Sequence, residues 1–81
     1  MIVSVRLFAR ARDLAGADVL AVDLPEGATV GQLRLALAAQ APALAPLLQR
    51  SAVAINDELA EDAHTLPLEA AVALLPPVSG G

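Results

Sequence analysis

The chain opens on strict alternation. In IVSVRLF, Val3, Val5 and Leu7 fall on one side and Ile2, Ser4, Arg6 and Phe8 on the other. That period of two, in a segment rich in β-branched residues, predicts a strand. Residues 9–16, ARARDLAG, read as a polar-apolar connection in which Leu14 tucks under the fold and Gly16 closes a turn. Alternation resumes over 17–24, with Leu20, Val22 and Leu24 opposite Val19, Ala21 and Asp23. This is a second strand, antiparallel to the first. Pro25, Glu26 and Gly27 break the pattern, and Thr29 is placed to cap a helix, with Gln32 three residues on to complete a capping box. Val30, Leu33, Leu37 and Ala41 then recur at helical spacing, which leaves Arg34 and Gln40 for solvent. Pro42 ends the helix.

Residues 43–50 form a short turn or second helix that directs Leu44, Leu47 and Leu48 inward. AVAIN, 52–56, is a strand with Val53 and Ile55 on one face, followed by a turn at Asn56-Asp57. The stretch ELAEDAH is too charged to lie centrally, and Leu66 and Leu68 flank Pro67 as loop residues that touch the core. AAVALL, 70–75, is the last strand, with Val72 and Leu74 inward and Ala73 and Leu75 outward. A hairpin, a crossover helix and a sheet that grips the helix on one face make an α+β layer arrangement. The first and last strands, both strongly apolar, form a parallel central pair. Phe8 and Leu75 then emerge at the same end and on the same outward face.

Composition narrows what such a fold can do. Eighty-one residues make one small domain, which buries only about 60% of the surface of its unfolded chain. There is no cysteine and a single histidine, His64, so neither disulfides nor a Cys/His zinc site can staple it. Apolar residues reach 57%, above the roughly 45–50% of an average domain. Phe8 is the one aromatic, so the core is built from Val, Leu and Ile. The net charge of −4 argues against nucleic acid as a partner, because phosphate-binding surfaces are basic. All five basic residues are arginine. The most apolar stretch, 35–48, is interrupted by Gln40, Pro42 and Pro46, short of the ~20 residues a bilayer requires. With no basic region ahead of the first apolar stretch, and Arg6 inside it, no signal-peptide pattern is visible, and the expected location is cytoplasmic, away from membranes. His64 reads as a turn histidine, and Asp57, Glu58, Glu61 and Asp62 as a solvated face without the spacing of a calcium loop, able to steer a basic partner.

The remaining chemistry is in PPVSGG. Residues 1–75 form the folded domain and 76–81 an extended tail. Pro76 and Pro77 favour polyproline geometry and launch the tail away from the body. Six residues at about 3.3 Å each reach about 20 Å, enough to enter another protein's active site. Gly80 and Gly81 lack side chains and pass a narrow channel. The terminal carboxyl is ionised at neutral pH, and a carboxylate is a poor electrophile. With no GxxxxGK[ST] loop, no cysteine and no lysine, the chain cannot activate it, so an ATP-using partner is implied. Taken alone, a diglycine end reads as a frayed terminus; the di-proline launcher, the apolar Val78 and the position of the glycines at the end of a compact domain shift the balance towards function.

Over essentially its whole length the chain resembles the small sulfur-carrier subunit of molybdopterin synthase, the MoaD group of ubiquitin-like β-grasp proteins. The residues that carry the resemblance are FARARDLAG (8–16), VAIN (53–56), His64 and Leu66 before the last strand, and above all VALLPPVSGG (72–81). Two departures stand out. Leu68-Glu69-Ala70-Ala71-Val72 replaces an acidic, glycine-bearing turn, and Leu74-Leu75 stand where many members carry an aromatic before the prolines.

The resemblance implies a ubiquitin-like β-grasp fold, a mixed sheet of four to five strands on one main helix. It also implies a route for sulfur. An E1-like adenylating enzyme of the MoeB type uses ATP to form an acyl-adenylate at Gly81, and a sulfur donor replaces AMP to leave a thiocarboxylate. The tail then inserts into the large, MoaE-type subunit and passes sulfur to cyclic pyranopterin monophosphate. Gly81 is the reactive group, Gly80 gives clearance, and Pro76, Pro77, Val78 and Ser79 position the tail. Phe8, Ala73 and Leu75 form the docking patch, unless Phe8 is simply core. On this basis the chain is a sulfur-donor subunit with no activity alone, no permanently bound cofactor and no metal, in a heterotetramer with the large subunit. Alternatives on the same scaffold are thiamin-type sulfur transfer, conjugation to lysines, and a plain interaction module with an inert tail.

Overall fold

A computed structural model describes residues 1–76; Pro77, Val78, Ser79, Gly80 and Gly81, to which sequence assigns the tail chemistry, lie outside the described residues. Nine elements follow one another: β1 (Ile2–Leu7), α1 (Ala9–Ala15), β2 (Val19–Asp23), α2 (Val30–Gln40), a 3-10 turn (Pro42–Leu44), α3 (Ala45–Leu48), β3 (Ala52–Ile55), β4 (Glu58–Ala60) and β5 (Val72–Leu75). The five strands form one mixed sheet in the order β2-β1-β5-β3-β4. β1 runs antiparallel to β2 and parallel to β5, so the first and last strands are neighbours as the pattern predicts.

The alternation of β1 is reproduced in its burial: Val3, Val5 and Leu7 are buried while Ile2, Ser4 and Arg6 are exposed. Val22, Val53, Ile55, Val72 and Leu74 join them on one sheet face, against Val30, Leu33 and Leu37 of α2 and Leu44, Leu47 and Leu48 beyond it. α2 starts with the predicted capping box, in which Thr29 Oγ1 accepts from the Gln32 amide and Gln32 Oε1 accepts from the Thr29 amide. It stops before Pro42, whose ring disfavours helical geometry at Ala41.

Several expectations are corrected. Residues 9–15 are a helix, because Ala, Arg and Leu are good helix formers and Gly16, at φ 71°, closes the last turn by donating to Arg12 O. Its one buried residue is Ala11, and Leu14 is 37% exposed. A seven-residue helix with so narrow an inward stripe and no side-chain cap leaves little periodicity to read. Leu68 is 62% exposed, since Glu69 at φ 58° turns the chain away after Leu66 has reached the core. The charged stretch after Asp57 stays off the centre of the sheet, as its charge predicts, but it does contain an edge strand, β4, paired with β3 through a two-residue turn with both Asn56 and Asp57 at positive φ.

Arg34 does not face solvent. Its Nε donates to Asp62 Oδ1 at 2.7 Å, and its Nη1 to Leu48 O at 2.7 Å and Ser51 O at 2.8 Å. Leu48 is the last residue of α3 and Ser51 lies just before β3; the Leu48 carbonyl also accepts the Ser51 amide at 3.3 Å, and the guanidinium adds a second, shorter bond there and one to the Ser51 carbonyl. Helical spacing cannot reveal this, because the acceptors belong to other elements. Gln40 is exposed, yet its Nε2 donates to Ala21 O of the edge strand β2 at 3.0 Å.

Two stability changes are expected. Arg34→Ala, which removes the donors to Leu48 O, Ser51 O and Asp62 Oδ1, should cost about 1–3 kcal/mol. Glu69→Gly removes left-handed strain of about 1–2 kcal/mol, partly offset by about 0.4–1 kcal/mol of unfolded-chain entropy, and should raise the melting temperature by a few degrees. Denaturant and thermal unfolding measure both.

Candidate functional site

The outward sheet face has no helix over it. Register places Val19, Arg6, Ala73, Ala54 and Leu59 in one row across all five strands. One step beyond the last paired residues of β1 and β5, Leu7 and Leu74, come Phe8 and Leu75. Phe8 follows β1 in extended geometry, at φ −131° and ψ 156°, which continues the strand alternation and keeps its ring outward. It is 39% exposed and not core.

Phe8, Ala73 and Leu75 therefore share a shallow groove of about 270 Å³, whose lining also includes Arg6, Ala54 and Asp57. The groove borders the point where the chain leaves β5 at exposed Pro76. A clasp fixes that exit: the Asn56 amide donates to Ala71 O at 2.8 Å and the Ala71 amide to Asn56 Oδ1 at 3.0 Å. Asn56 takes φ 50°, a conformation its short polar side chain tolerates, and thereby holds the β3–β4 turn against the start of β5.

Leu59 escaped the reading of the sequence. It is 73% exposed and sits opposite Ala54 on the groove side of the sheet. A lone leucine inside ELAED, at alternate spacing after an Asn-Asp turn, is the signal that marks it. His64 is exposed, and its carbonyl accepts the Val30 amide. Among the described residues no group of three or more His, Asp or Glu could hold a metal ion. Asp62 is not simply a solvated acid, because it is tied to Arg34. A larger cleft of about 710 Å³ on the helix side is lined by Leu35, Ala38, Ala45 and Leu48, and its charged pair, Arg34 and Asp62, is mutually committed. No helix of the described residues is long and apolar enough to cross a membrane.

A mixed sheet folded over one main helix, with its central strand running out beside an open apolar groove, defines a ubiquitin-like β-grasp protein. The chain belongs to the ThiS family, which matches residues 5–81. It is 33% identical over 79 residues to the molybdopterin synthase sulfur carrier subunit of Arabidopsis thaliana, covering 98% of this chain and 82% of that protein. The subunit of that name from Chlamydomonas reinhardtii is 32% identical, with both chains fully covered.

Among solved structures, a molybdopterin converting factor subunit 1 from Pyrococcus furiosus superposes with a TM-score of 0.86 at 28% identity, covering 96% of this chain and 99% of that one. SAMP1 of Haloferax volcanii, a small archaeal modifier protein, gives 0.84 at 32% identity over the whole of both chains. Subunit 1 or 2 of the Helicobacter pylori molybdopterin-converting factor, in a structure of their complex, gives 0.69 at 27% identity, again over both full chains.

Surface and core positions of the sheet should separate cleanly. Leu59→Ser is expected to change stability by no more than about 0.5 kcal/mol, whereas Leu74→Ala on the opposite face should cost about 2–5 kcal/mol. Urea unfolding of the two variants checks this.

Proposed function

We propose that this chain is the sulfur-carrier subunit of a molybdopterin synthase, and that Gly81 carries the sulfur. The observation that carries the proposal is the match to named sulfur-carrier subunits over 98% of the chain, within a family match that runs through residue 81. The geometry agrees with it. β5, held between β1 and β3, delivers Pro76 beside an exposed apolar groove, so a partner that grips the groove receives the tail.

In this proposal the Gly81 carboxylate attacks the α-phosphorus of ATP in an E1-like, MoeB-type partner and releases pyrophosphate. Sulfur delivered at the hydrosulfide level then displaces AMP from the acyl carbon, giving the thiocarboxylate. Gly80 lets the chain pass a narrow channel, and Pro76, Pro77, Val78 and Ser79 set its direction. Within a MoaE-type large subunit, in a heterotetramer, the thiocarboxylate sulfur attacks cyclic pyranopterin monophosphate. Hydrolysis returns the carboxylate, and two transfers supply one dithiolene. Phe8, Ala73 and Leu75, extended by Leu59, form the docking patch. A buried aromatic or aliphatic anchor supplies most of the affinity of such an interface. This chain binds no cofactor of its own, and the ATP belongs to the cytoplasmic activating partner.

A second reading follows from the likeness to the small archaeal modifier protein at 32% identity over both full chains: the activated tail forms an isopeptide with a lysine of another protein. Thiamin-type sulfur transfer is the third route open to the same chemistry. The chain has no lysine of its own to intercept the activated tail.

Deletion of Gly81 should abolish adenylation by the activating partner while the unfolding midpoint stays unchanged. Adenylation of the truncated chain at the normal rate would refute the assignment of the reactive group. Mass spectrometry of the native protein distinguishes the readings, since a thiocarboxylate supports carriage and an isopeptide to a foreign lysine supports modification.

A further inference from the structure

Arg6 places a single positive charge in the middle of the apolar face. In register it stands between Val19 of β2 and Ala73 of β5, one strand spacing of about 4.8 Å from each. Phe8 lies two residues further along the same side of the chain. Among the described residues that line the groove Arg6 is the one cation, and it joins none of the three salt bridges found among the described residues. Arg34 is tied to Asp62, and Arg12 leans towards Asp18 at 3.8 Å. Asp57, the groove's acid, is on the turn after β3, with β5 between it and Arg6.

While the face is wet, an exposed guanidinium is solvated at no cost. A partner that covers Phe8, Ala73 and Leu75 cannot leave Arg6 in water, because it lies within one strand spacing of Ala73. A cation stripped of water without a counter-charge is strongly unfavourable, so the covering surface must bring an anion to that point. The rest of the chain is acidic, at −4 overall, and repels a generally acidic partner. Only a neutral or basic surface with one acid at a fixed position satisfies both requirements.

We propose that Arg6 determines the specificity of the docking face by receiving a carboxylate of the protein that covers it. This rests on the reading of that face as the site for the large synthase subunit. The planar guanidinium suits a bidentate carboxylate, which fixes the rotation of the domain on its partner as well as the affinity.

The test is the dissociation constant of the full chain with the large subunit, at low and high salt, for wild type, Arg6→Met, Arg6→Glu, Asp57→Asn and Phe8→Ala. Arg6→Met, which keeps an apolar stem, should bind about tenfold to a hundredfold more weakly and lose part of the salt dependence. Arg6→Glu should bind more weakly still, and Asp57→Asn should match wild type. Arg6 is exposed, so unchanged melting temperatures should accompany these losses. Arg6→Met binding as tightly as wild type while Phe8→Ala is weakened would overturn the role of Arg6 and leave the docking face intact. Equal losses in Arg6→Met and Asp57→Asn would overturn it differently, by making the acceptor the chain's own Asp57. Full affinity in Phe8→Ala would remove the docking face itself and the Arg6 proposal with it.

Discussion

The parallel pairing of β1 with β5 is the constraint on which the rest of the molecule depends. Parallel strands cannot be joined by a tight turn, so the chain between them must cross from one end of the sheet to the other. Here the crossover takes up the whole middle of the sequence and brings α2 across the inner face, where Leu33 and Leu37 are fully buried. The hairpin partner β2 attaches to the free side of β1, and β3 with β4 to the free side of β5. The same pairing sets Phe8 next to Leu75, so the exposed groove lies beside the point where the chain leaves β5.

Backbone geometry near that point is held by side chains and not by glycine. Asn56, Asp57 and Glu69 all take left-handed φ values around the two turns that flank the start of β5. Asn56 repays its conformation through the reciprocal bonds with Ala71. Glu69 turns the chain at φ 58° without a glycine, just ahead of the strand that pairs on both sides. Arg34 plays the matching part on the helix side, joining α2 to the end of α3 and to the loop at Asp62. Together these contacts make a small, cysteine-free domain rigid at the points where its chain must change direction.

Among the described residues there is no group of His, Asp or Glu that could hold a metal ion, and the groove's one acid is Asp57. What the site offers is an exposed apolar groove beside the point where the chain leaves β5 at Pro76. That suits a carrier whose chemistry is performed by partners, and it is equally the form a protein modifier takes. The two differ in what finally receives the activated terminus, a matter settled outside this chain.

Much of this was legible in the residues. Period-two alternation in 2–8, 17–24 and 70–75 identified three strands and their inward faces, because each strand is wet on one side and covered on the other. The Thr29–Gln32 pair and Pro42 bounded α2, since capping and the missing proline amide act over a few residues only. Ala73 and Leu75 were recognised as outward for the same local reason. The short helix at Ala9–Ala15, the edge strand with Leu59, and the exposure of Leu14 and Leu68 were not legible, because each depends on what lies across space. Arg34 is the clearest case: a helical wheel assigns it to water, while its three acceptors come from Leu48, Ser51 and Asp62. Sequence determined which side of each element is apolar, since that is a property of neighbouring residues. Only the tertiary structure decided which apolar side stays uncovered and which charge lies within it, because that depends on which strands become neighbours.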